Sequence, residues 1–207
     1  YGNFAYHNTR ESLFQGAGRV VVHDNIFVDA GSSQSAIYFV DHNATLQLAF
    51  AYNNTIYGGG RGIYFADQPR VAGAAVGNLV FADSPIGWCG GCTIAAMLDN
   101  VTASIASAGQ YVANPSITLG SMDFYPRTDC TSCNGTPLDL SLFATNTDYD
   151  LDFNGTLKGL RTFRGAYAGT GTNPGWRLTD ALKIGGPSGG SSSDTIPPAA
   201  TTDLRTR

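Results

Sequence analysis

Residues 20–31 read VVVHDNIFVDAG, residues 48–59 read LAFAYNNTIYGG, and residues 74–84 read AAVGNLVFADS. Each line holds a short apolar strand, an Asn, a second short apolar strand and a turn. The shared Asn falls at Asn25, Asn54, Asn78 and, in the weaker line MLDNVTAS, at Asn100, at intervals of 29, 24 and 22 residues. A second register agrees, since SAIYFVDHN from Ser35 matches RGIYFADQP from Arg61 with Ile37 and Ile63 26 residues apart. That much chain is what one coil of three short strands and their turns requires. A single coil cannot bury its own apolar side, but stacked coils make a continuous core. The expectation is a parallel β-helix, with Asn25, Asn54, Asn78 and Asn100 stacked as a structural ladder. At such a turn Asn tolerates left-handed backbone and bonds its amide to neighbouring main chain. A β-sandwich or barrel with turn-marked short strands is the competing reading.

Composition points the same way. Only 14% of the 207 residues are charged against 43% apolar, and 26 are Gly. Glu11 is the one Glu, so the solvent faces of amphipathic helices have little to be built from. A net charge of -4 with two Lys offers no basic stripe for a phosphate backbone, which argues against nucleic acid. No apolar run approaches the roughly 20 residues of a membrane span.

Within the coils, Leu48, Phe50 and Tyr52 share one side of their strand and Ala49 and Ala51 the other. The aromatics Phe27, Tyr38, Phe39, Tyr57, Tyr64, Phe65 and Phe81 recur at matched places. They fit either a core stack or an exposed sugar-contacting stripe. The expectation is regular coils over residues 1–109, terminal coils and an irregular cap over 110–184, and a Gly/Ser/Pro linker with the start of a following domain over 185–207. The cap is expected to cover the solenoid's end, where strand edges would otherwise stay unpaired.

Several groups could carry chemistry. Cys89-Gly-Gly-Cys92 and Cys130-Thr-Ser-Cys133 fit structural disulfides, local or crossed, and also the pairwise spacing of a zinc site. Asp148, Asp150, Asp152 and Asn154 alternate before Gly155 like the first half of a calcium loop. The twelfth position, however, is Arg161 rather than a bidentate Glu. Sequons begin at Asn43, Asn53, Asn100, Asn134 and Asn154 and are candidate glycosylation sites. His7, His23 and His42 have no metal-ligand spacing and read as hydrogen-bonding residues at coil edges.

The repeated lines resemble the secreted right-handed β-helix proteins of the pectate-lyase-like superfamily. DFNGTLKG...RGAYAG looks like the closing segment of such repeats, and IPPAATTDLRTR looks like the entry to a fibronectin type III module. The stretch NFAYHNTRESLFQGAGRVVVHDN is similar to the lyase region in which an Arg stands beside the uronate groove. The resemblance makes Arg10 the candidate base that removes the C5 proton of a uronate while calcium acidifies it. Ser12 and Gln15 depart from that pattern, and the calcium-binding carboxylates would belong to earlier coils.

The expectation for function is a non-catalytic structural or adhesive module of a larger extracellular or cell-surface protein. Its partners would be polysaccharide, neighbouring domains of the parent protein, and other copies through exposed coil ends. The alternative is a fragment of a polysaccharide lyase acting by calcium-assisted β-elimination through Arg10.

Overall fold

A computed structural model describes residues 1–183 of the chain; the expected linker and the stretch that resembles the start of a fibronectin type III module lie outside the described residues. The chain winds as a β-solenoid of about four turns. The first coil holds β1 (Phe4–Asn8), β2 (Phe14–Gly16) and β3 (Arg19–His23), and the second holds β4 (Ile26–Ala30), β5 (Ser35–Phe39) and β6 (Leu48–Tyr52). β7 (Thr55–Tyr57), β8 (Arg61–Phe65) and β9 (Ala72–Val76) make the third. β10 (Leu79–Phe81), β11 (Ser84–Trp88) and β12 (Ala96–Leu98) make the fourth, and β13 (Val101–Ala103) starts another. Every third strand stacks in parallel. Sheet A is β1-β4-β7-β10-β13, sheet B is β2-β5-β8-β11, and sheet C is β3-β6-β9-β12.

The coils differ in length, but one corner does not. Between sheets C and A the connection is always two residues: 24–25, 53–54, 77–78 and 99–100. The second of each pair is the ladder Asn. Asn25 donates from its backbone N and its Nδ2 to Asn54 Oδ1 at 3.2 and 3.0 Å. Asn54 does the same to Asn78 at 3.0 Å each, and Asn78 to Asn100 at 3.0 and 2.9 Å. Asn3 extends the column by donating to Asn25 Oδ1 at 2.9 and 3.1 Å, a member that no repeat line in the sequence marks. The second amide hydrogen then reaches main chain, as in Asn54 Nδ2 to the Val22 carbonyl at 2.8 Å.

One detail of the expected corner is different. The ladder Asn residues are not left-handed; the residue before each one is. Gly2, Asp24, Asn53, Gly77 and Asp99 have φ of 67, 53, 49, 63 and 57°. The tight turn needs one positive φ, and only Gly, Asn and Asp, which adopt it most cheaply, occupy the column.

The solenoid interior is narrow. Ala49, Ala51 and Ala75 point inward with Val22, while Ile37, Ile63, Phe39 and Phe65 fill the side under sheet B. The larger residues of β6 face out. Phe50 and Tyr52 pack under Leu138, Leu140 and Phe143, with Tyr52 stacked on Phe143 at 4.1 Å. On sheet A, Ile26, Val28, Leu79 and Phe81 face outward beneath Phe124, Tyr125, Phe153 and Tyr167. The C-terminal segment therefore lies along the flanks of sheets A and C. Strands with large apolar side chains on their outward face demand such a cover, because those side chains would otherwise remain in water.

Replacing Asn78 with Ala removes the acceptor of two donors on buried Asn54. Asn78→Ala should lower unfolding free energy by about 3 kcal/mol in chemical denaturation. Asn100→Ala, at the half-buried end of the ladder, should cost less.

Candidate functional site

The left-handed column that makes the turn also aims its side chains out of the solenoid, and the C-terminal segment grips them coil by coil. Lys183 Nζ donates to the Gly2 carbonyl at 3.0 Å. Lys158 Nζ donates to Asp24 Oδ2 at 2.8 Å and to Asn53 Oδ1 at 3.3 Å, spanning two coils. Gly165 N donates to the Gly77 carbonyl at 2.8 Å, and Arg164 binds Asp99 Oδ1 at 2.8 Å. Gly77 has a second reason to be glycine, since a Cβ there would stand 2.6 Å from Leu138 Cδ1. Both lysines of the chain are spent on this seam.

Its centre is a dry cluster. Asp24 is 0% exposed, His23 3% and Lys158 7%. His23 stacks between Tyr1 at 4.8 Å and Tyr52 at 4.6 Å, and its Nδ1 lies 2.8 Å from Asp24 Oδ2. It is a buried core residue rather than a coil-edge one. Burial foremost, with the nearby Lys158 ammonium acting in the same direction, pushes the His23 imidazole from its ordinary 6.5 down to about 3. Burial also raises Asp24 well above the carboxylate range against the pull of Lys158, and lowers the Lys158 amine.

Sheet B is different. Its outward row runs Gln15, Tyr38, Tyr64, Gly87 in register across four strands. Among the described residues, the hydrophobic groups of the C-terminal segment lie on the other two sheets and leave this row uncovered, with the two Tyr half-buried. The Tyr38 and Tyr64 rings are parallel within 6°, with centroids 6.1 Å apart. The Arg61 guanidinium sits 4.4 Å over the Tyr64 ring. Trp88, at the end of β11, is 48% exposed. Of the recurring aromatics, then, Phe27, Phe39 and Phe65 are interior, and Tyr57 and Phe81 lie against the C-terminal segment. Tyr38 and Tyr64 alone form an outward stripe.

The other candidates are scattered. Arg10 is exposed on the loop between β1 and β2. Among the described residues no three His, Cys, Asp or Glu side chains converge as metal ligands. Cys89–Cys92 and Cys130–Cys133 each close a local disulfide, with Cα atoms 5.3 and 5.4 Å apart. Neither the crossed pairing nor a four-thiolate zinc site forms, and each bridge stiffens one turn. The calcium-like segment is held shut by main chain. Asp152 Oδ1 accepts from the N–H groups of Asn154 and Thr156 at 2.8 Å, and Oδ2 accepts from Ala168 at 3.0 Å. Asp148 is taken by the Tyr1 hydroxyl, and the Asp150 carbonyl accepts from Lys158 N. Asn154 points to Asn173 at 3.1 Å.

The sequons divide by exposure. Asn43 and Asn134 are exposed. Asn53 and Asn154 are buried at 1% and 6%, and the Asn100 amide is engaged in the ladder. The amides of these three serve as internal hydrogen-bonding groups of the fold. Expression in a glycosylating host should modify Asn43 and Asn134 at most, as read by glycopeptide mapping; a glycan on Asn53, Asn100 or Asn154 would contradict the seam.

A second prediction concerns acid. The unfolded chain protonates His23 below about 6.5, whereas the folded chain refuses that proton until about 3. Across that window His23 removes stability as pH falls, by about 1.4 kcal/mol per pH unit. Asp24, whose folded value is raised, contributes the opposite slope. Comparing unfolding free energies of wild type and His23→Gln from pH 7 to 4 isolates the histidine; the variant should lose stability less steeply with acid.

No protein family, curated protein or solved structure matches the chain.

Proposed function

We propose that the chain is a non-catalytic structural and adhesive module of a secreted or cell-surface protein, and that it contacts polysaccharide along sheet B. One observation carries this reading: of the three long faces, sheet B alone is left without the cover of the C-terminal segment among the described residues, and it holds the Tyr38–Tyr64 pair with Arg61. A row of aromatic edges, phenol hydroxyls and one cation in register along the axis suits an extended chain of sugars. Aromatic surface contacts the apolar faces of pyranose rings, and the guanidinium matches carboxylates on acidic ones. Two local disulfides support an oxidising compartment.

The likeness of the repeats to the pectate-lyase-like superfamily belongs to this proposal as an architectural kinship. The lyase alternative requires Arg10 beside converging carboxylates, whereas Arg10 is exposed on a loop with no metal-ligand cluster among the described residues.

The test is affinity electrophoresis through gels containing neutral or uronate-bearing polysaccharides. Retention should be stronger on the acidic polymers, and Arg61→Ala and Tyr64→Ala should each weaken it about fivefold, or roughly 1 kcal/mol, with an unchanged melting temperature. Retention that survives the double variant would remove sheet B as the contact face. Unsaturated uronate products formed with calcium, and lost in Arg10→Ala, would replace this reading with the lyase one.

A further inference from the structure

The Lys158 amine ends among groups that can convert the seam's central ion pair into a covalent tie. Nζ lies 2.8 Å from Asp24 Oδ2, 3.3 Å from Asn53 Oδ1 and 2.9 Å from the Tyr149 carbonyl. Asp24, Asn53 and Lys158 are 0, 1 and 7% exposed, and the Tyr52 ring closes the site 5.3 Å from Nζ. An amine, a carboxamide and a carboxyl thus share one water-poor cluster. Asp24 Oδ1 is buried there without any hydrogen-bond partner, which leaves an oxygen free to carry a proton. The Asn53 nitrogen is held only by two long bonds of 3.3 Å, to the Gly77 and Phe163 carbonyls.

We propose that Lys158 and Asn53 join in an intramolecular isopeptide bond, with Asp24 as the proton carrier. A proton first passes from the Lys158 ammonium to Asp24 along their hydrogen bond, leaving a neutral amine and a neutral carboxylic acid. The Nζ lone pair then adds to Asn53 Cγ, and the carbonyl electron pair moves onto Oδ1, which Asp24 protonates. Asp24 takes the surplus proton from Nζ and delivers it to Nδ2. The carbonyl re-forms as Oδ1 returns its proton to Asp24, the Cγ–Nδ2 bond breaks, and ammonia leaves carrying that proton from Asp24 as ammonium. One C–N bond has replaced another, Asp24 is unchanged, and no oxidant or co-reactant is consumed. Fixed proximity supplies the entropy that such a step lacks in solution. Burial, which raises the Asp24 carboxyl and lowers the Lys158 amine, favours the opening proton transfer.

Lys183 is the internal control. Its amine also reaches the solenoid, but its partners are two main-chain carbonyls, that of Gly2 on the solenoid and that of Phe153 in the C-terminal segment.

The experiment is intact-mass spectrometry of the full chain after reduction and denaturation, followed by peptide mapping. The expected result is a mass one ammonia below that of the sequence, with the peptides bearing Asn53 and Lys158 recovered as one linked species. Lys183→Arg should keep the deficit, and Lys158→Arg should restore the full mass. A wild-type mass equal to the sequence overturns the proposal, as does an ammonia loss without the linked peptides. A deficit of one water with Lys158 linked to Asp24 overturns the assignment of Asn53 as the acyl partner. The wild-type measurement alone decides the matter, so a variant that fails to fold does not blunt it.

Discussion

Everything in this molecule hangs on a two-residue corner. A stacked coil must reverse direction without leaving main-chain donors stranded, and between sheets C and A it does so in the least chain a turn allows. The first residue supplies the positive φ and the second supplies a side chain that imitates the next coil's peptide group. Each ladder amide accepts from both the backbone and the side chain of its neighbour, so the buried amides of the ladder are satisfied by repetition. An unsatisfied donor in such a place costs more than a made bond returns. That asymmetry forces the corner to recur in register whatever the coils do elsewhere.

The corner has a second face. A left-handed residue throws its side chain outward, so the turn chemistry that closes each coil also lines up Asp24, Asn53 and Asp99 along the outside. The cations of the C-terminal segment meet that line, and the apolar residues on either side of it settle onto sheets A and C. Fold and cover are therefore not independent. A substitution that changed the turn residue for local comfort, such as Gly at Asp24, would keep the corner and lose the anchor.

Much of the architecture was legible because it repeats. The Asn spacing named the coil, and the matched IYF lines named sheet B. Asn3 is not marked by any repeated line of the sequence, and only its bonds to Asn25 place it in the column. The left-handed residue stands one position before the ladder Asn, and the sequence does not single it out, since Asp-Asn, Asn-Asn and Gly-Asn pairs each offer two residues that tolerate positive φ. The flank cover was not legible for a different reason. Alternation puts Leu48, Phe50 and Tyr52 on one side of β6 and Ala49 and Ala51 on the other without saying which side faces in. The narrow interior takes the Ala while the rings face out. Lys158 and Arg164 were invisible because their partners lie far away in sequence, at Asp24 and Asp99. The outward pair Tyr38–Tyr64 was legible as one of two options, which only the exposure of sheet B separates.

The unequal coils carry a consequence for how such a chain can change. Between sheets B and C the connections run from residues 17–18 in the first coil to 40–47 in the second, while those between C and A stay at two residues. Length can be added or removed at one vertex of the triangular section with little effect on stacking, and nowhere along the seam. A lineage, or an engineer, could therefore graft loops of many sizes onto that vertex and obtain an array of independent attachments spaced one strand apart. The opposite vertex would keep time for all of them.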